Sequence, residues 1–172
     1  MTVDALKVTA IVFVAVVLQS SIVSTIEVRG GTPDLVLVTL VAIALLRGAI
    51  WGAAAGFAAG LLLDTASLAR LGETSLLLTV AGYWIGRYGE TTGRDRAHAP
   101  LVAVAVITIL YSAGALVLNF MLGEDVSPAA VFDALLPTML WNVLLAVPVY
   151  ALCRKAFGRR VDDRVQEVEL LG

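Results

Sequence analysis

The sequence predicts an all-α integral membrane protein, a six-transmembrane-helix bundle with its N- and C-termini cytoplasmic. Hydrophobic residues make up 59% of the 172-residue chain and charged residues only 15%, where a soluble domain is roughly one-quarter charged. The mean hydropathy is +0.91. When the chain is threaded as six spans, ten of its twelve Lys and Arg residues fall on one side, and basic residues collect on the cytoplasmic side of membrane proteins. Six spans of about 20 residues each consume most of the length. Residues 1–157 are therefore assigned to a single six-helix transmembrane domain and 158–172 to a short charged cytoplasmic tail.

The spans are placed at about Val8 to Ile26, Pro33 to Leu46, Gly48 to Leu63, Leu71 to Tyr88, Pro100 to Leu122 and Pro137 to Cys153. The first could be mistaken for a signal peptide, because Lys7 precedes an apolar run. That run lacks a small-x-small cleavage site and continues through Gln19 and Ser20 to spanning length, so it is read as a retained helix. The second and third spans are short and joined by a tight hairpin at Arg47-Gly48. With the N-terminus cytoplasmic, the inner segments hold Lys7, Arg47, Arg87, Arg94, Arg96, Arg154, Lys155, Arg159, Arg160 and Arg164, leaving Arg29 and Arg70 outside. Five spans would scramble this pattern. In the third outer loop, Gly123 to Leu136, Ser127 and Pro128 suit the N-cap and first residue of a short interfacial helix. Pro137 and Pro148 bracket the sixth span and lead us to expect a kink unless the helix begins at Pro137. The tail puts Val161, Val165 and Val168 on one helical face, which fits either a surface-lying helix or a frayed terminus.

Gly48, Gly52, Gly56 and Gly60 recur every fourth residue along the third span, and Gly82 and Gly86 form a shorter ridge in the fourth. Lipid provides no hydrophobic drive between helices, so close backbone approach over small residues is what holds them together. The ridges are candidates for packing on each other, or for a face reserved for another protein. Asp34, Asp64 and Glu73 form an acidic cluster at the outer edge. Asp34 and Glu73 open helices, where the dipole favours a negative charge. Asp64 ends one, so it needs another partner, such as Arg70 or the start of a following helical turn. Asn119 and Asn142, inside spans, are read as cross-helix glue. Trp51, Tyr83, Trp84, Tyr88, Trp141 and Tyr150 sit near span ends as headgroup-level anchors. His98 is a solvated loop residue, and Cys153, the single cysteine, is a small apolar core residue that excludes an internal disulfide. The sequence shows no nucleophile–base pairing, metal-ligand spacing, phosphate-cradling loop or basic stripe. No catalytic, cofactor-binding or metal residue is assigned, and nucleic acid is excluded as a partner.

Read in order, Gln19-Ser20, Pro33-Asp34-Leu35, Leu46-Arg47-Gly48, Gly52, Gly56-Phe57, Gly60 to Asp64, Leu71-Gly72 and Gly82-Tyr83 with Gly86 resemble the rod shape-determining protein MreD family. The likeness covers about the first half of the chain, and the second half resembles the family in length and span count alone. It implies a multi-pass, non-catalytic component of the cell-elongation machinery in the bacterial cytoplasmic membrane. The implied partners are MreC, MreB and the peptidoglycan polymerase pair of RodA with a class B penicillin-binding protein, beside membrane lipid. The architecture is also similar to the solute-binding subunits of energy-coupling-factor transporters, so a small-molecule-binding role is the alternative. A solute site would need polar or aromatic residues converging at one depth.

Overall fold

The structure, a computed structural model, describes residues 2–21, 30–68, 70–92, 99–124 and 126–158. Arg29, Arg94, Arg96, His98 and the tail beyond Gly158 lie outside the described residues. Within them the chain forms six α-helices: α1 Thr2–Ser21, α2 Leu35–Arg47, α3 Ala49–Ala66, α4 Glu73–Thr92, α5 Ala99–Met121 and α6 Pro128–Phe157. Four of these, α1, α3, α5 and α6, are long and apolar enough to cross a membrane. The fourth helix has spanning length but carries Glu73, Arg87 and Glu90.

The bundle is organised around α2, the shortest helix, which touches each of the other five. Every residue from Val36 to Leu45 is buried. A helix that is apolar all round belongs inside a bundle, and α2 reads that way from Leu35 to Leu46. Its 13 residues rise about 20 Å, short of the ~30 Å hydrocarbon thickness. The start of α2 therefore falls against the middle of α6, where the Asp34 amide meets Asn142. In contrast, α5 and α6 bury little of their surface and turn side chains such as Leu110, Val117, Leu140 and Leu144 outward, as lipid-facing helices do.

The hairpin at Arg47-Gly48 forms as expected, and Gly48 is at once the C-cap of α2 and the N-cap of α3. Its φ of 95° and ψ of −177° lie in a region essentially closed to residues with a Cβ. The sixth helix departs from expectation. The short interfacial helix and the span after Pro137 are one continuous helix of 30 residues with both prolines inside it. Ser127 does occupy the N-cap position and Pro128 the first turn, but the Ser127 side chain makes no capping bond. Pro137 is seated against Gly31, where an added Cβ would meet the Pro137 ring and the Thr138 amide. The helix spends one backbone donor at the proline and packs the ring on a residue without a side chain.

Candidate functional site: a glycine seam and a buried polar layer

The two glycine ridges meet. A Cβ at Gly52 would overlap the carbonyl of Gly82, and one at Gly82 would overlap the carbonyl of Gly52. One step toward the end of α3 Gly56 lies on the backbone of Leu78 and Thr79, and a step further Gly60 lies on that of Ser75. Toward the start of α3 Gly86 lies on Gly48 and Ala49. α3 and α4 are thus an antiparallel pair whose backbones touch along their shared length, as only glycine permits. Gly48 contributes backbone to this seam and its positive φ to the turn before it. Two polar bonds lock the register. Ser75 Oγ donates to the Phe57 carbonyl at 3.0 Å, and the Ala49 amide donates to Glu90 Oε1 at 2.9 Å. Neither Ser75 nor Glu90 stood out in the sequence; the available signal was a small hydroxyl residue in step with Gly60.

The acidic residues converge on one end of this seam, each by a different route. Asp34 caps α2 by accepting the Leu37 amide at 2.9 Å and a bond from the Val36 amide. Asp64 has no exposed surface. Its two carboxylate oxygens accept the amides of Gly72 at 2.8 Å and Thr74 at 3.3 Å. A carboxylate at the disfavoured C-terminal end of α3 is therefore held at the favoured N-terminus of α4. Arg70, the other candidate partner, pairs instead with Glu124 at 3.3 Å. Glu73 is the first residue of α4. Tyr111 of α5 shares a side-chain hydrogen bond with Thr74 and lies within electrostatic reach of Asp34, Asp64 and Glu73.

Beside the acidic residues, side chains from two helices answer the backbone groups at the buried start of α2, and a third helix braces one of them. Asn142 of α6 accepts the Asp34 amide at 2.7 Å and donates to Thr108 Oγ1 of α5 at 3.1 Å. Gln19 of α1 accepts the Leu35 amide at 2.8 Å and donates to the Pro33 carbonyl at 3.2 Å. Asp34 takes the next two amides. The free N–H groups that every helix start presents are all costly when withdrawn from water. Here each is bonded, and Asn142 and Thr108 are almost fully buried in doing so. Asn142 is cross-helix glue as the sequence suggested, whereas the Asn119 side chain, among the described residues, donates to the Ala115 carbonyl of its own helix.

At the opposite end of α2, the Arg47 side chain is 6% exposed and forms an ion pair with both carboxylate oxygens of Asp4 on α1. Its guanidinium lies 4.6 Å from the centre of the Phe157 ring at the end of α6. Arg47 thus ties three helices together. Among the described residues, no group of three or more His, Cys, Asp and Glu side chains could hold a metal ion. Of the aromatic residues, Tyr83 and Trp84 are exposed and meet edge to face at 6.1 Å, while Trp51 and Tyr150 pack against the core.

No curated protein matches the chain, and no solved structure does. A family does: the model of rod shape-determining protein MreD matches residues 2–157, a stretch that takes in all six helices, the glycine seam and the buried polar layer. The chain belongs to the rod shape-determining protein MreD family, and with its apolar helices it is a membrane protein with a role in the determination of cell shape.

Proposed function

We propose that this protein is a non-catalytic subunit of the bacterial cell-elongation complex. It assembles in the cytoplasmic membrane with MreC and with the peptidoglycan polymerase of RodA and a class B penicillin-binding protein, and through them with MreB. The family match over residues 2–157 carries this reading. In it residues 1–157 are one bundle that crosses the membrane six times, residues 158–172 are a charged tail, and both ends are cytoplasmic. The closed interior supports it: the glycine ridges are occupied by each other and the buried amides of α2 by side chains. What is left for partners is the outward surface of α1, α5 and α6.

The second reading, a solute-binding subunit of an energy-coupling-factor type transporter, draws on the convergence of Asp34, Asp64 and Glu73 around Tyr111. Against it, Asp34 and Asp64 already accept backbone amides. Affinity purification of the tagged protein from native membrane, with its partners identified by mass spectrometry, separates the two. Recovery of MreC with the polymerase is the expected outcome. Recovery of an ATPase module without them would overturn it.

A further inference from the structure

Helices α1 and α6 scarcely touch, and between them runs a crevice of about 310 Å³. Ala10, Val14 and Leu18 of α1 form one wall, Leu152 and Cys153 of α6 the other, and Thr39 of α2 lies at its floor. Val14 and Leu152 are more than half exposed, so the crevice opens sideways on the face that meets hydrocarbon. Its lower end is closed by one bond: Lys7 Nζ donates to the Ala156 carbonyl at 3.0 Å. The placement follows from helical spacing. Lys7 precedes Ala10 and Val14 by three and seven residues, and Ala156 follows Leu152 and Cys153 by four and three, so each continues its own wall.

Among the described residues, the charge at this mouth is one-sided. Arg154 and Lys155 lie in the last turn of α6 and are exposed. The nearby carboxylate of α1, Asp4, is held by Arg47. The Lys7 ammonium has three donors, one of which is used on Ala156. A slender apolar chain with an anionic head matches both the shape and the charge, and basic pockets between helices at a membrane surface hold anionic headgroups.

We infer that the α1–α6 crevice is a phospholipid site, with one acyl chain between the helices and the phosphate of an anionic lipid at Lys7, flanked by Lys155. The occupant comes from the leaflet at the Lys7 end of the bundle.

The test uses the full chain in detergent, with phosphatidylglycerol or phosphatidylcholine of identical acyl chains added, and native mass spectrometry as the readout. The unaltered protein should retain one phosphatidylglycerol molecule and hold it about fivefold better than phosphatidylcholine. Lys7→Gln should remove most of that preference and Lys155→Gln a smaller part. Ala10→Phe, which fills the crevice from its exposed rim, should abolish retention of both lipids. Bound phosphatidylglycerol should also slow alkylation of Cys153. Equal retention of the two lipids by the unaltered protein would overturn the assignment, even if the Ala10 variant fails to fold. So would retention that Ala10→Phe leaves unchanged, or recovery of a polypeptide cross-linked to Cys153 in place of lipid.

Discussion

Asp64 is a charge with no exposed surface, and two amides at the start of α4 hold it. Asn keeps one acceptor but turns the other oxygen into a donor facing a donor. Asp64→Asn should therefore lower stability by about 1–3 kcal/mol, the cost of a buried polar group left unmatched. Asp34→Asn should cost less than about 0.5 kcal/mol, because Asn caps a helix as well as Asp does. Glu73→Gln should cost no more than a few tenths of a kcal/mol, the smaller end of a charge–dipole contribution at a helix start. Melting temperatures of the three variants in detergent test the order. Equal losses would point to a shared acidic site around Tyr111. The sequence showed that Asp64 sits where its own helix opposes it. It did not choose the partner, since Arg70 and the next helix start both lie close along the chain and only the folded loop decides which one reaches the carboxylate.

At the scale of elements, the α3–α4 seam depends on backbone contact, so its tolerance should be graded by position. Gly52→Ala already places a Cβ in the Gly82 carbonyl and should cost more than about 3 kcal/mol, in the range of overpacking and strain. Gly123→Ala meets no atom within 4 Å and should cost only about 1 kcal/mol for its positive φ. Thermal unfolding and the yield of monodisperse protein distinguish these outcomes. Comparable tolerance at both sites would mean that α3 and α4 do not touch. The Arg47–Asp4 latch gives a second test. Asp4→Asn leaves a buried guanidinium without its carboxylate, and removing one member of a buried pair costs up to about 3–5 kcal/mol. The loss should be lower here because Asp4 is 29% exposed. Arg47→Met added to Asp4→Asn should restore part of the loss, as a double-variant cycle would show.

At the scale of the whole molecule, the proposed topology makes reporters a direct test. Labels in residues 123–127 should react from outside intact cells, while labels in 94–98 and after Arg159 should react only once the membrane is opened. An outward-facing C-terminus would refute the six-span reading.

By itself the sequence determined the helical membrane class, the hairpin at Arg47-Gly48, the capping role of Asp34 and the family. These depend on hydropathy, local dihedral preference and the order of short motifs, all of which are local properties of the chain. The spacing of glycines likewise marked two smooth helix faces, but not whether they face each other, since a smooth face fits a neighbour and a partner equally well. Only the tertiary structure paired α3 with α4, buried α2 at the centre, and gathered Gln19, Thr108 and Asn142 around its first amides. It also ran α6 unbroken through Pro137, where local rules expected a separate interfacial helix, and seated the proline against Gly31, where no side chain obstructs the approach. Such choices rest on contacts between residues far apart in the chain, 108 positions in the case of Asp34 and Asn142. No local pattern encodes them, because their energy exists only when several helices have already met.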